Sequence, residues 1–374
     1  MHIEILQENL VKALSLVARF VPTKPSIPIL ANLKISTGEN SLIIMANNME
    51  AGIEMKIGVK VIEQGSVVVP AKTLLEFSNL LQPGKIEIWS KDDSLKLKSD
   101  KHSAEFPVLN SDEYPEFPKY EEHQNFHLKP EVIQKIVRLI LFATSKDEAR
   151  PVLSAVLLLF NEKNQLRVVG TDGYRLSLLD KLAYDGPKVA ERLLVPAKIF
   201  MELDRLLKDM PRTDLQVGYS EKQKSLTFEV EGIKIVSRLV EGDYPPFEKI
   251  IPKETIVEFN CNKEELLNCV KLAQVFARES SHIIKIKPID NELVLSSNSA
   301  TVGKQESVVG GILEGDGVNI IAFNGKFLMD FLQAVEKEKV SIRLSGTLLP
   351  GVFAGVDKNF FHVIMPVRTQ EASD

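Results

Sequence analysis

The stretch with the clearest potential for chemistry runs from Gly170 to Leu176 (GTDGYRL), near the middle of the 374-residue chain. Asp-Gly is a common turn sequence, because glycine reaches the positive φ of a tight hairpin and Asp accepts hydrogen bonds from nearby backbone groups. Apolar residues on both sides predict a strand, a turn and a second strand. The turn carries Tyr174 and Arg175, two residue types that often anchor protein partners. The stretch therefore predicts a partner-binding turn, with an ordinary hairpin as the alternative.

Motifs of several large enzyme classes are missing from the sequence, which has no GxxxxGK[ST] phosphate loop, no GxSxG and no HExxH. His123 and His127 have the four-residue spacing of metal ligands on a helix, but they lie in a predicted linker with no third ligand nearby. The carboxylate pairs at 112–113 and 121–122 lie in the same linker, and adjacent side chains point apart. We expect no catalytic residue, no metal site and no cofactor.

Composition is typical of a soluble globular protein, with 44% hydrophobic and 26% charged residues. No apolar run is long enough to span a bilayer, and the N-terminus lacks a signal-peptide pattern. The only two cysteines, Cys261 and Cys269, do not have CxxC spacing, so we expect core thiols in a reducing cytoplasm. The net charge of −5 argues against general coating of nucleic acid but permits a local basic surface.

Three consecutive parts of the chain repeat one unit. Matching segments recur at offsets between 124 and 130 residues, namely 69–75 with 195–201 and 323–329, 44–48 with 168–172 and 294–298, and Tyr114-Pro115 with Tyr244-Pro245. A repeat of this length is the size of a whole domain. We therefore predict three domains, at residues 1–120, 125–250 and 253–374.

Each domain is predicted to contain two helices packed on antiparallel sheet, an α+β fold. The predicted helices are 7–20, 70–81, 130–144, 197–208, 263–278 and 324–335. In the first domain the predicted strands are 32–37, 41–46, 50–61, 67–69, 85–90, 94–99 and 103–108, followed by a linker at 110–124. Basic pairs seven residues apart lie opposite the apolar stripe of one helix in each domain: Lys12 with Arg19, Lys198 with Arg205, and Lys271 with Arg278. A solvated helix face is the alternative explanation of these pairs.

Several stretches together resemble the bacterial DNA polymerase III beta subunit family, the sliding clamps. They are 24–30 (KPSIPIL), 150–153 (RPVL), 171–176 (TDGYRL), Tyr244-Pro245 with 250–252 (IIP), and 363–368 (VIMPVR). The resemblance covers the whole chain, and the order, spacing and threefold repeat of the stretches make it specific. It implies the DNA clamp fold and a head-to-tail homodimer whose six domains form a ring around double-stranded DNA, with helices inside and sheets outside. The implied function is that of a processivity factor without catalytic activity.

The resemblance also implies DNA contacts from Lys24 in a first-domain loop and from Lys72, Lys198 and Arg205 on helices. Twelve helices about 10 Å wide, set side by side, would enclose a hole on the order of 30 Å, enough for a duplex. Cations lining it would face phosphates without reading bases. The loop at 146–148 (KDE) is expected near DNA as well, but its two acids oppose a strong contact.

Members of the family bind linear peptide motifs of polymerases and clamp-loader subunits in a hydrophobic groove between the second and third domains. The matching positions here are Leu153, Thr171, Gly173, Tyr174, Arg175, Leu176, Pro245, Lys249, Ile250, Phe327, Pro350, Val363, Met365, Pro366, Val367 and Arg368. Apolar members would form pockets for a partner's Leu or Phe, and Arg175 and Arg368 would hold acidic groups at the rim. Tyr174 stands where many relatives have His. For Met365 and Val367, a plain core strand is the alternative.

Two features at the ends of domains complete the sequence-based expectations. Phe106, on the last strand of the first domain, is a predicted dimer-interface anchor, with a core position in its own domain as the alternative. Residues 369–374 extend beyond Arg368, where relatives often end, and are expected to be disordered or to screen part of the groove.

The alternative function is a peptide-binding adaptor of the same fold that does not encircle DNA, and an enzyme is a distant third.

Overall fold

The computed structural model describes residues 1–115, 124–208, 210, 213–316, 318, 320–355 and 359–368. Two compact units divide these residues. The first unit comprises Met1–Lys129, Asp185–Val189 and Leu206–Leu239. The second unit comprises Pro130–Tyr184, Ala190–Arg205 and Val240–Asp374. The middle sequence repeat therefore contributes strands to both units.

In the described part of the chain, each repeat has one strand, a helix, a run of strands, a second helix and three more strands, with five strands between the helices of the first repeat and four in the other two. The helices are α1 Gln7–Val17, α2 Ala71–Leu80, α3 Pro130–Leu139, α4 Ala197–Lys208, α5 Lys263–Ala277 and α6 Gly325–Ala334. The first nine strands are β1 His2–Leu6, β2 Asn32–Thr37, β3 Ser41–Asn47, β4 Ala51–Gly58, β5 Lys60–Glu63, β6 Ser66–Pro70, β7 Lys85–Lys91, β8 Ser94–Lys98 and β9 Ser103–Pro107. The next eight are β10 Gln124–Leu128, β11 Ala155–Phe160, β12 Gln165–Thr171, β13 Arg175–Ala183, β14 Arg192–Pro196, β15 Leu215–Ser220, β16 Ser225–Val230 and β17 Ile233–Arg238. The last eight are β18 Val257–Asn262, β19 Ile283–Ile289, β20 Glu292–Ser299, β21 Gly303–Glu314, β22 Ile321–Asn324, β23 Lys339–Leu344, β24 Gly351–Gly355 and β25 Phe360–Ile364.

The first unit contains two antiparallel sheets and helices α1 and α2. Helix α1 buries Leu10, Leu14 and Val17 completely, because their spacing of three and four residues places them on one face. The sheets have the strand orders β5-β1-β7-β8-β9 and β10-β15-β16-β17-β4-β3-β2-β6. In the larger sheet, β4 of the first repeat pairs with β17 of the second, with Ile53 opposite Ile235. The sheet therefore continues from one repeat into the next.

The second unit is built on one twelve-stranded sheet with the order β14-β11-β12-β13-β25-β24-β23-β18-β21-β20-β19-β22. Here β13 of the second repeat pairs with β25 of the third, with Leu176 opposite Val363. Helices α5 and α6 are preceded by the N-cap residues Asn262 and Asn324, whose side chains accept hydrogen bonds from the backbone N–H groups of Glu265 (3.1 Å) and Lys326 (2.9 Å). These caps satisfy amides that have no partner within the helix.

All six predicted helices are confirmed, with small differences at their ends. The segments predicted as helix at 7–20 and 130–144 end in 3₁₀ turns, at Ala18–Phe20 and Leu141–Ala143. The predicted strand 50–61 is two strands, β4 and β5. Strands β1, β10 and β18, which precede the first helix of each repeat, were not predicted. No helix in the described ranges is long and apolar enough to cross a membrane.

The predicted linker at 110–124 includes regular structure in its described residues. A 3₁₀ turn covers Ser111–Glu113, and His127 lies within strand β10, so the interpretation of His127 as a linker residue is wrong. His123 and the carboxylates at 121–122 lie outside the described residues. Elsewhere in the described ranges, no group of three or more His, Cys, Asp and Glu side chains could hold a metal ion.

Both cysteines are free and buried, as predicted. Burial raises the pKa of the Cys261 thiol to about 12, with smaller contributions from Glu265 and Cys269. Cys261 is therefore a protonated, unreactive core residue at neutral pH.

Candidate functional site

The turn at Thr171–Arg175 is held by side-chain to backbone hydrogen bonds. Asp172 Oδ1 accepts from the N–H groups of Tyr174 (2.9 Å) and Arg175 (3.0 Å). Thr171 Oγ1 accepts from Gly173 N–H at 3.1 Å and donates to the carbonyl of Arg175 at 2.6 Å. Gly173 has a φ of +94°, which suits a residue without a side chain. The rigid turn leaves Tyr174 63% exposed, as its predicted role in partner binding requires.

Arg175 is buried, so the prediction that it lies at the rim of the groove is wrong. Its side chain pairs with Asp172 Oδ2 through Nε at 3.0 Å and with Asp330 Oδ2 through Nη1 at 2.6 Å. The guanidinium also lies 4.4 Å from the centre of the Phe327 ring and 5.6 Å from that of Phe142. Two carboxylates and two rings compensate for its burial. Arg175 thus fixes the turn and helix α6 relative to each other and has little charge to offer a peptide.

A buried histidine lies next to Arg175. His362 is 0% exposed, and its Nδ1 lies 2.8 Å from Ser177 Oγ. Its ring stacks on Phe331, with centroids 5.8 Å apart. Burial, reinforced by the positive charge of Arg175, holds the pKa of His362 well below its usual value. The ring is therefore neutral at physiological pH, and it contributes to packing under the site.

Apolar residues of β11–β14, β24, β25 and the segment 244–247 form a cluster in the second unit. The cluster contains Ala155, Leu157, Val169, Leu176, Leu178, Leu194, Tyr244, Phe247, Val352 and Val363, and Ile250 packs against it. Three of the predicted groove residues, Leu176, Val363 and Ile250, belong to or contact this cluster. Because Leu176 is 0% and Val363 1% exposed, they support the surface and do not line it.

Other predicted groove residues are accessible. Leu153, Phe327, Met365, Pro366 and Val367 are half-buried, whereas Gly173, Tyr174, Pro245, Lys249 and Arg368 are exposed and Thr171 and Pro350 are buried. The segment after β25 is tied down at two points, since Met365 N–H donates to the carbonyl of Tyr174 at 2.9 Å and Val367 N–H donates to that of Ala322 at 2.8 Å. These contacts bring the C-terminal segment next to the turn at 171–175. The tail at 369–374 lies outside the described residues.

Sequence reasoning missed several residues of this region. Leu348 and Leu349 are each 50% exposed and directly precede Pro350. Consecutive exposed leucines in a loop are a sign of a binding surface that the sequence could have supplied. Asp330 is the partner of Arg175 from 155 residues away, and no local sequence pattern indicates that pairing.

The predicted DNA-binding residues of the first unit are exposed. Lys24 lies in the loop between α1 and β2, and Lys72 on α2 has an 88% exposed side chain. Lys72 Nζ lies 3.9 Å from Glu76 Oε1, one helical turn away. Such an exposed pair is weak, so a phosphate could compete for the lysine.

The predicted DNA-binding residues of the second unit are exposed and paired with acids. Lys198 Nζ lies 2.6 Å from Glu148 Oε1, and Arg205 Nη1 lies 2.6 Å from Glu202 Oε1. A hydrogen bond and the charge of Lys198 lower the pKa of Glu148, so the acid is ionised and offsets the lysine at neutral pH. Glu148 belongs to the acidic loop that was expected to oppose DNA contact.

Three domain families of one protein match successive parts of the chain. Residues 1–118 match the N-terminal domain, 127–246 the central domain and 248–368 the C-terminal domain of the DNA polymerase III beta subunit. The chain belongs to the DNA polymerase III beta subunit family. This result confirms the recognition of the family and the three-domain clamp fold, while the finer domain boundaries stay a prediction.

Relatives of known name agree with this assignment. The beta sliding clamp of Staphylococcus epidermidis is 28% identical over 383 residues, which cover 99% of this chain and 100% of the relative. The DNA polymerase sliding clamp of Bacillus subtilis is 26% identical, with a TM-score of 0.93 and 99% of each chain covered. A sliding clamp of Pseudomonas aeruginosa bound to griselimycin shares the fold. It is 23% identical, with a TM-score of 0.92 over 99% of this chain and 100% of that one. Members of this family are processivity factors of DNA replication and have no catalytic site.

Proposed function

We propose that two copies of this chain close head to tail into a ring around double-stranded DNA and tether a DNA polymerase and clamp-loader subunits through the groove described above. The observation that carries the proposal is the recurrence of one strand pairing. In the first unit β4, which is the third strand after the first helix of its repeat, pairs with β17, which is the last strand of the next repeat. In the second unit β13 pairs with β25 in the same way. The strand of the third repeat that corresponds to β4 and β13 is β21, and the strand of the first repeat that corresponds to β17 and β25 is β9. These two strands would pair with their counterparts in a second copy.

The edges of β21 and β9 suit this pairing. Strand β9 is the last strand of its sheet, and in the described part of the chain residues 303–310 of β21 pair with β20 alone. Open edges of this kind are templates for another strand. Two β9–β21 pairings would close six repeats into a ring. Phe106 lies on β9 but is only 4% exposed and packs edge-on against Phe77. We therefore assign Phe106 to the core of its own unit and the interface to the strand edges.

Inside such a ring, Lys24, Lys72, Lys198 and Arg205 would face the duplex. All four side chains are exposed, and Lys72 and Lys198 pair with exposed acids that DNA phosphates could displace. Contacts of this kind are weak and water-separated, which permits sliding. Retention would then come from closure of the ring, and we place the protein in the cytoplasm with the replication machinery.

Partner peptides would bind across the turn at 171–175 and the C-terminal segment. Tyr174 and Arg368 are exposed there, next to the half-buried side chains of Phe327, Met365 and Val367. Apolar side chains of a linear motif would insert between them. Arg368, and not Arg175, is the cation available for an acidic group of the peptide.

Retention on circular DNA tests the ring. Protein loaded on a nicked plasmid by a clamp loader is expected to remain bound at 0.5 M salt and to be lost when the plasmid is linearised. Sedimentation is expected to give about twice the chain mass of 41.8 kDa. Loss from circular and linear DNA alike at high salt would favour electrostatic binding and overturn the ring. Peptide binding without any retention on circular DNA would support the adaptor alternative.

A further inference from the structure

The turn between β3 and β4 in the first unit shares three side-chain to backbone hydrogen bonds with the turn at 171–175. The side chain of the first residue accepts from the amide two positions on, at 2.7 Å in the turn at 47–51 and at 3.1 Å in the turn at 171–175. Asn48 Oδ1 accepts from the amides two and three positions on, at 3.0 and 2.7 Å, where Asp172 does so at 2.9 and 3.0 Å. The third residue has positive φ in both, +73° at Met49 and +94° at Gly173.

The strand beside this turn is also equivalent. Arg238 N–H donates to the carbonyl of Glu50 at 2.8 Å, as Met365 N–H donates to that of Tyr174 at 2.9 Å. In the adjacent register, Val236 lies opposite Gly52 where Val363 lies opposite Leu176. Arg238 therefore takes the place of Met365, and Glu50 takes the place of Tyr174.

A cavity of about 320 Å³ lies at this position in the first unit. Its lining includes Met49, Gly52, Pro115, Ser225, Val236 and Arg238. Pro115 belongs to the Tyr114-Pro115 pair that recurs as Tyr244-Pro245 beside the groove. The cavity is thus the counterpart, one repeat earlier, of the peptide groove.

The chemistry of the cavity differs from that of the groove. The exposed cation Arg238 replaces Met365, and Ser225, which lies opposite Arg238 on β16, takes the place of Pro350. The Ser225 side chain is 2% exposed, and its hydroxyl has no hydrogen-bond partner in the described part of the chain.

Apolar and charged groups of the cavity lie close together. Val236 is 3% exposed and Met49 is 41% exposed, so the walls keep apolar area for a side chain. The exposed Arg238 favours a carboxylate, and the exposed Glu50 of the neighbouring turn favours amide N–H donors. A peptide supplies both kinds of group.

We propose that this cavity is a second peptide-binding site, for a linear segment with an apolar side chain next to an acidic one. The comparison rests on the proposed groove, but binding here does not require the groove. The two sites would select different motifs, because one presents Met365 and the other Arg238 at the same position.

Methionine methyl groups report on both sites at once, since Met49 lines the cavity and Met365 lies in the groove. We would label the methyl groups of the eight methionines with ¹³C in the full-length protein and assign these two signals with Met49→Leu and Met365→Leu. The probe is acetyl-Ala-Leu-Asp-Ala-amide, with the Asn-containing peptide as the neutral control. We expect the Asp peptide to shift the Met49 signal saturably. The dissociation constant is expected to rise at least tenfold for the Asn peptide or in Arg238→Gln.

Lys56→Gln is the matched control, because Lys56 is an exposed cation on β4 that does not line the cavity. It is expected to bind the Asp peptide as the unmodified protein does. An unmoved Met49 signal, or equal binding in Arg238→Gln, would overturn the second site, and a shift of the Met365 signal in the same spectra would still support the groove. An equal response of Met49 to sodium acetate would overturn the assignment to a peptide.

Discussion

Arg175 links two carboxylates and two aromatic rings at the base of the site. Its side chain is 9% exposed, that of Asp172 17% and that of Asp330 37%. Removal of the cation would leave two partly buried carboxylates without the positive charge that balances them, which is more costly than the loss of an exposed ion pair. Asp172 lies in the turn at 171–175 and Asp330 on α6, and both elements border the groove. The free energy of unfolding and the affinity for peptides are therefore both expected to depend on Arg175.

We expect Arg175→Met to lower the free energy of unfolding by about 2 kcal/mol, less than for a fully buried pair because Asp330 is partly exposed. Peptide affinity is expected to fall with it, because the turn loses its anchor. Urea denaturation and calorimetric titration measure the two effects. In a double-mutant cycle with Asp330→Asn, part of the stability loss is expected to be recovered, and strictly additive losses would contradict the coupling.

His362 is expected to make stability depend on pH below neutrality. Its pKa is lowered in the folded state, whereas the unfolded chain titrates near about 6.5. Below that pH the unfolded state binds more protons, so stability is fully present above it and falls by up to about 1.4 kcal/mol per pH unit as the pH drops. His362→Gln is expected to flatten the decline in urea midpoints between pH 7 and pH 5. An unchanged slope would assign the decline to other groups.

Residue identities alone could not predict these roles. A charged residue beside a turn is usually exposed, and Asp330, which pairs with the buried Arg175, lies far away in sequence on α6. His362 lies in the apolar stretch 360–364, where alternation indicates a strand but not which polar side chain faces inward. By contrast, exposure of Tyr174 followed from its position at the tip of an Asp-Gly turn.

At the scale of elements, helix α4 meets the acidic loop at 146–148 through Lys198 and Glu148. The pair is exposed on both sides, with side chains 76% and 81% accessible. It therefore contributes little to folding, while Glu148 offsets the charge that would face DNA. The loop tunes the basic surface of this helix.

Glu148→Gln is expected to strengthen the interaction with DNA, because it frees Lys198 for a phosphate. The salt dependence of binding is expected to steepen by about one counterion. Lys198→Glu is expected to weaken binding, and circular dichroism melting should be unchanged in both variants. Fluorescence anisotropy with a labelled duplex over a salt series measures the effect. Weaker binding in Glu148→Gln would contradict it.

The elements themselves were largely predictable because apolar residues recur at helical spacing and the three repeats support one another. Short strands in front of helices were missed. His2–Leu6 alternates in burial, but five residues next to a helix carry too few alternations to stand out. The joining of repeats within one sheet was also not predictable, since edge pairing of β4 with β17 depends on backbone groups that every sequence has.

At the scale of the whole molecule, the proposed ring depends on pairing between β9 and β21 of different copies. Strand β21 carries Val308, which is 45% exposed, in the segment for which β20 is the pairing strand among the described residues. An exposed apolar residue beside an open strand edge is typical of a surface that another chain covers.

Val308→Asp is expected to weaken the dimer at least tenfold without unfolding the protein, because a carboxylate would lose its hydration at the interface. Ile62→Asp is the control, since Ile62 is 49% exposed on β5, which lies at the opposite edge of its sheet from β9. Sedimentation velocity over a dilution series gives the dimer fraction. Equal dissociation of both variants would exclude β21 as the seam.

Joins made from main-chain hydrogen bonds place few demands on side chains. The pairings of β4 with β17 and of β13 with β25 need only complementary N–H and C=O groups, which substitution leaves in place. A protein assembled in this way can drift far in sequence while its frame stays fixed, as the TM-score of 0.93 at 26% identity illustrates. The side chains of the clefts beside these strand pairings can then change independently. Equivalent cavities of different repeats can therefore come to bind different ligands.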